Sequence, residues 1–246
     1  MLRNIAIVTA LLISLSGCVT PPAVPSEADA RSIHSLAIIS GLGIALNVQH
    51  TGFMVFGNSY TSLTPDWDVD GYVTRSARAL LSPKYKIEPV TYDKAVFDEK
   101  NTFPPPSWLA SLPASDADAF LVFVRARSQD PVLPSNQYVQ GLGVYSASVY
   151  EVVHAYYTVY LVDAHTHKIL AQDDSRTGKG QLFGDPHLPQ IVRAHSWING
   201  AGEPHKYPEK ADQFTDANKR DLEAELKTLL DASLPYTLGQ MGLAPQ

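Results

Sequence analysis

This chain of 246 residues carries a single cysteine, which excludes an intrachain disulfide framework and any Cys-rich zinc or iron–sulfur site. It has no apolar run near the ~20 residues needed to cross a hydrocarbon core as a helix. It lacks a basic excess as well. Nineteen Lys+Arg stand against 25 Asp+Glu, giving a formal charge of −6, whereas a nucleic-acid binder needs a basic face to displace counterions from phosphates. With 18% charged and 45% hydrophobic residues, the composition also excludes a disordered polyelectrolyte and a coiled coil. Signatures of common chemistries are missing too. Gly57-Asn58-Ser59 lacks the second glycine of a nucleophile elbow, and Gly143-Val144-Tyr145-Ser146 has the wrong spacing. There is no Walker A sequence, and Gly41-Leu42-Gly43 and Gly141-Leu142-Gly143 each lack the third glycine of a dinucleotide fingerprint.

What is present begins at the N-terminus. Met1-Leu2-Arg3-Asn4 carries one positive charge and precedes an uncharged, mostly apolar stretch from Ile5 to Leu15, the pattern of a secretory h-region. It ends in Leu15-Ser16-Gly17-Cys18, which resembles the lipobox of bacterial lipoproteins. The resemblance implies removal of residues 1–17 and diacylglyceryl transfer to the Cys18 thiol. It also implies a membrane held as partner through N-terminal acyl chains, palmitate among them, each buried CH2 contributing ~0.8 kcal/mol. Val19 rather than Asp after the cysteine implies sorting to the outer membrane, facing the periplasm, in a Gram-negative cell. Residues 18–32 are rich in proline and small side chains and are expected to form a tether, extended at about 3.1 Å per residue.

The remaining 33–246 is expected to form one α/β domain. Ser35–Ser40, Ile44–His50 and Phe53–Phe56 have strand composition, and Val69, Tyr72, Val73, Ala77, Leu80 and Leu81 predict a helix opened by Asp66, Asp68 and Asp70. Tyr85–Val90 predicts a strand, a helical turn is expected near Trp108, and the wholly apolar Ala119–Val124 predicts a strand buried on both faces. Gly141–Tyr150, Val152–Val162 and Ile169–Gln172 predict an antiparallel meander, with a polar turn over 163–168. A short helix is expected at Gln190–Ala194. The final helix has Thr215 as N-cap, a leucine stripe from Leu222 to Leu234, and Pro235 as its end. The fold class is therefore α/β (α+β): a two-layer sandwich of mixed sheet and antiparallel hairpins, with helices mainly on one face and long loops at 125–140 and 176–213. The buried 119–124 strand, the Leu161-Val162-Asp163 turn through Thr166-His167-Lys168, and the late helix resemble periplasmic α/β lipoprotein domains of the TolB N-terminal and peptidoglycan-synthase-activator type. Many of those have glycine where this chain has His167. No functional residue carries over.

For chemistry, Asp163, His165 and His167 alternate and would share one side of an extended segment, with Asp173 or Asp174 able to approach from the paired strand. Such donors suit Zn or Ni, while the same residues also suit a solvated turn. His187, His195 and His205 show no ligand spacing. Asp116 and Asp118, like the Asp66–Asp70 group, supply carboxylates whose separation decides any glycosidase reading. Tyr138, Tyr145, Tyr150, Tyr156, Tyr157 and Tyr160 cluster in the hairpins, and Trp197 and Tyr207 lie in the irregular stretch; packing and recognition are both open to them. The reading is a lipid-anchored, non-enzymatic envelope lipoprotein without cofactor or nucleic-acid partner, binding an envelope protein or component through its loops. The alternatives are a metal-dependent protein or hydrolase using Asp163, His165 and His167, or self-assembly.

Overall fold

The structure, a computed structural model, describes residues 22–52, 57–97, 107–129, 138–147, 150–177, 189–194 and 204–245. In chain order, a short helix α1 (Glu27–Ser32) leads into strands β1 (Ser35–Ser40), β2 (Leu46–Thr51) and β3 (Ser59–Leu63). Helix α2 (Val69–Leu81) follows, then β4 (Lys86–Glu88) and two 3-10 turns, Lys94–Phe97 and Ser107–Ser111. The central hairpins comprise β5 (Ala119–Arg125), β6 (Arg127–Gln129), β7 (Tyr138–Gln140), β8 (Leu142–Ala147), β9 (Tyr150–Ala155), β10 (Tyr157–Asp163) and β11 (Ile169–Asp174). Strand β12 (Gln190–Ala194) and helix α3 (Asp216–Gln240) complete the order.

The fold is of the expected α+β class, with its mixed strands divided between two sheets. The first runs β11-β10-β5-β1-β4, with β1 parallel to β4 and β5; the second runs β12-β9-β8-β2-β3, with β2 parallel to β8. Side-chain alternation accounts for the layers. Leu36, Ile38, Leu121 and Phe123 of the first sheet and Val48, Val144 and Val153 of the second point into one core, which both helices cover. On the other face of the first sheet, Ile39, Phe120 and Val122 meet Phe97, Trp108 and Leu112, so β5 is buried on both faces as its apolar run predicts.

Both long helices follow their sequence signals. The Asp68 side chain accepts from the Gly71 N–H at the start of α2, and Val69, Val73, Ala77 and Leu81 recur every fourth residue on its buried face. Asp70 is also buried. Its Oδ1 accepts from Ser40 Oγ at 2.8 Å and from the Leu42 and Gly43 N–H groups at 2.9 Å, tying the β1–β2 connection to the helix. Thr215 and Asn218 form a capping box at the start of α3, and Leu222, Leu226, Leu230, Leu234 and Leu238 are buried along it. Each such leucine contributes roughly 1.5–3 kcal/mol.

Four expectations change. Gln190–Ala194 is a strand, not a helix: it pairs antiparallel with β9, whose free edge supplies hydrogen bonds that a short isolated helix could not replace. Helix α3 runs through Pro235 to Gln240, because burial of Leu238, Met241 and Leu243 holds its last turn in place. The expected Val152–Val162 strand is divided at Tyr156. Within the expected tether, residues 22–32 are not extended throughout: the Gln172 N–H donates to the Pro22 carbonyl at 2.8 Å, Pro25 is buried, and Ser26 caps α1. Phe53–Phe56, residues 1–21 and the middles of the long loops lie outside the described residues.

Three chain passages cross between sheets at Ala126, Gly141 and Tyr156, and these residues bond in a closed ring. The Ala126 N–H donates to the Tyr156 carbonyl (3.0 Å), Tyr156 N–H to Gly141 (2.9 Å), and Gly141 N–H to Ala126 (2.8 Å). From this ring radiate the β5–β10 pair, the β8–β9 pair and the separate β6–β7 ribbon. Gly141 adopts φ +62°, and a Cβ there would lie 2.9 Å from the Arg125 side chain. The fully buried His154 is 2.9 Å through Nδ1 from the Gly141 carbonyl and stacks on Tyr156.

Gly141→Ala is expected to destabilise the protein by about 2 kcal/mol or more, from left-handed strain plus the clash. Gly242→Ala, also at positive φ (+70°) but with its nearest neighbour at 3.7 Å, loses about half as much in urea unfolding. Burial pushes the His154 imidazole down to about 4 from the usual 6.5, so the folded state disfavours its protonation. That component of stability is complete above pH 6.5 and is lost as pH falls from 6.5 towards 4. A His154→Gln variant should therefore show a shallower loss of stability across this window in urea titrations at stepped pH.

Candidate functional site

Residues 163–168 form the β10–β11 turn, and its polar atoms are occupied by the turn itself. Asp163 Oδ1 accepts from the His165 N–H (3.0 Å), the Thr166 N–H (2.7 Å) and Thr166 Oγ1 (2.8 Å), bonds that hold its carboxyl below the usual range against the opposing effect of burial. His165 is exposed, and the His167 ring meets the edge of Phe120 at 6.3 Å. Asp173 and Asp174 sit opposite Val159 and Thr158, at the far end of the hairpin. Among the described residues no three His, Cys, Asp or Glu side chains converge as a metal-holding group. His167 has φ +56°, the left-handed geometry that explains why glycine suits this position.

A second polar constellation emerges only from the strand register. Ser59, His50, Ser146, Glu151 and Arg193 lie on one rung across all five strands of the second sheet, each paired laterally with the next. They occupy the inward face, beyond the apolar pairs Leu46/Val48 and Leu142/Val144. Glu151 is fully buried; it accepts from the Tyr207 N–H (2.9 Å) and Lys206 N–H (3.2 Å) and faces Arg193 Nη1 at 3.4 Å. Arg193 also bonds Glu225 of α3, while Lys206 Nζ reaches Glu225 (2.9 Å) and Asp221 (3.2 Å). His50 Nδ1 lies 2.9 Å from Ser146 Oγ, and its Nε2 lies 3.5 Å from Glu209 Oε1. Burial holds the His50 imidazole below its ordinary value, against the pull of Glu209.

Serine, histidine and glutamate thus meet, but Ser146 is only 3% exposed. The rung instead latches residues 204–214 onto the sheet. The Ser59 hydroxyl donates to the Glu209 carbonyl (2.8 Å), the Ala211 N–H donates to Thr61 Oγ1 (2.9 Å), and Tyr207 stacks on Phe214. His205 lies beside His50 at 6.3 Å; His187, His195 and Trp197 lie outside the described residues. The one sequence signal for the rung is a polar residue on the inward phase of five separate strands.

The outward face of the same sheet carries an open site. The β6–β7 ribbon leaves the three-residue ring and stands over β2 and β3, enclosing a groove of ≈ 360 Å³ lined by Asn47, Gln49, Tyr60, Arg127, Tyr138 and Gln140 among others. Asn47 Nδ2 donates to the Gln140 carbonyl and ties the ribbon to the sheet. The Arg127 guanidinium lies 4.2 Å over the Tyr138 ring. Tyr60 and Tyr138 are 61% and 42% exposed, the only large aromatics so exposed among the described residues. Gln49 is 6% exposed, and its Nε2 is buried without a hydrogen-bond partner among the described residues. An amide left in that state costs about 1–3 kcal/mol. Of the tyrosines that cluster in the hairpins, Tyr145, Tyr150, Tyr156 and Tyr157 are buried packing residues, and Tyr138 alone lines the groove. A second cavity, ≈ 320 Å³, lies between the β3–α2 connection and the start of α3, beside the Lys219–Asp66 ion pair at 3.1 Å.

No protein-family model matches the sequence, and no curated protein matches it. Among solved structures, the chain is similar to a Xanthomonas campestris protein of a family of unknown function (10% identity, 90% of this chain and 93% of that one, TM-score 0.35). It is also similar to a Neisseria meningitidis lipoprotein (13% identity, 81% and 99%, TM-score 0.27) and to a hypothetical Chlamydia trachomatis protein (10%, 82% and 99%, TM-score 0.28). At these identities and TM-scores the likeness assigns neither a family nor a function.

His167→Gly is expected to stabilise the protein by about 0.5–1 kcal/mol, since relief of left-handed strain exceeds the added chain entropy. The urea midpoint checks this, and a lower midpoint than wild type contradicts it.

Proposed function

We propose that this chain is a lipid-anchored cell-envelope protein that acts by binding and not by catalysis, with the groove between β2–β3 and the β6–β7 ribbon as its recognition surface. The observation that carries the binding reading is the buried Gln49 amide, unpartnered among the described residues, beside two exposed tyrosines and Arg127. The groove is bounded by the β6–β7 ribbon, which forms the described ends of the 125–140 stretch expected from the sequence to be a loop. Anchoring rests on Leu15-Ser16-Gly17-Cys18 following the apolar stretch, and an outer-membrane, periplasm-facing location rests on Val19. Pro22 is hydrogen-bonded to β11 at one edge of the first sheet, whereas the groove belongs to the second, an arrangement compatible with a site that remains open beside the membrane.

Metabolic labelling tests the anchor. The wild-type chain is expected to incorporate labelled palmitate and fractionate with membranes, and Cys18→Ser to lose both properties. A Cys18→Ser chain that still incorporates palmitate would overturn the assignment.

A further inference from the structure

Resting on the reading of the groove as the recognition surface, we infer that its ligand is an anionic saccharide, a sugar chain bearing carboxylate or phosphate. The groups lining the groove select for one. Gln49, which lines the groove, carries a buried Nε2 with no hydrogen-bond partner among the described residues. Arg127 stacks on Tyr138, so its guanidinium plane is held in place while its edge N–H groups remain free to fork onto an anion. Among the described residues no aspartate or glutamate lines the groove, in a chain whose overall charge is −6. Donors and a cation therefore converge with no competing carboxylate, and the complementary ligand is rich in acceptors and negative.

The two exposed tyrosines add a requirement of shape. Tyr60 on β3 and Tyr138 on β7 are exposed aromatic side chains that both line the groove. A pyranose ring meets these demands together, with one apolar face for an aromatic ring and hydroxyls and an acid group around its rim. An extended peptide laid along the edge strand β3 would take up backbone groups of β3, but it leaves the positioned Arg127 and the buried Gln49 amide without a required partner. Inorganic phosphate satisfies Arg127 alone.

The test uses the full chain in a sugar-free detergent, titrated by calorimetry with hexagalacturonate, a phosphorylated glucosamine disaccharide, maltohexaose and inorganic phosphate. The expected result is saturable binding of one or both anionic sugars, weakened by salt, with maltohexaose and free phosphate at least tenfold weaker. Arg127→Ala, an exposed site that does not threaten folding, should weaken binding about tenfold, Arg127→Lys less, and Gln49→Ala severalfold. The two sugars separate carboxylate from phosphate recognition. Absence of binding by both anionic sugars, or equal binding by wild type and Arg127→Ala, overturns the inference.

A photo-crosslinking residue placed at Tyr60 in cells separates this failure from failure of the groove itself. A protein captured by the otherwise wild-type chain and lost with Arg127→Ala, without sugar binding, overturns the saccharide and leaves the groove. With neither capture nor sugar binding, both readings fall.

Discussion

The ring of three backbone hydrogen bonds through Ala126, Gly141 and Tyr156 is the constraint on which the rest of this structure depends. A single β-sheet ladder pairs each strand along its length with the same neighbours. Here each of three passages exchanges one partner for another within a single residue, and the ring satisfies the N–H and C=O groups that such an exchange would otherwise leave buried and unpaired. Gly141 is indispensable to it on two counts, the left-handed backbone and the approach of Arg125. Because the ring turns the chain, the two sheets can face a common core, and the β6–β7 ribbon is released to overhang the outer face of the second sheet. Core and groove are consequences of the same junction.

The two faces of the second sheet use polar side chains in opposite ways. Inward, the charges of the His50–Ser146–Glu151–Arg193 rung are compensated: the buried Glu151 receives two backbone N–H groups and a guanidinium, and Lys206 adds a second cation near Glu225. Buried charges persist only when so compensated, and the compensation consists of contacts with residues 204–214 and α3, which closes that end of the domain. Outward, Gln49 Nε2 has no hydrogen-bond partner among the described residues, and Arg127 stacks on Tyr138. Compensated charges serve cohesion, while the donors beside the exposed aromatics are the groups that the proposed ligand would engage.

Local signals are legible where they are self-contained. The β5 run, the Asp68 cap with its four-residue repeat, and the Thr215 box each lie within a dozen residues, and each forms the expected element. The 163–168 turn is evident as a turn, and His167 within it has the left-handed backbone angle that glycine favours. Local chemistry misleads where a distant partner decides the outcome. Gln190–Ala194 carries β-branched residues but no flanking pattern, and only the free edge of β9 makes it a strand. Pro235 is a helix stop by local chemistry, overridden by leucines that reach the core beyond it.

The sequence by itself determined the α+β class and the helix starts set by side-chain caps, because caps and periodicity are written within short windows of chain. Tertiary structure alone decided that the strands form two sheets, that five polar residues on five strands share one rung, and that Gln49, Tyr60, Arg127 and Tyr138 face one groove. Those facts depend on strand register, and register is set by pairings between residues as far apart as His50 and Ser146, where no local pattern announces the partner.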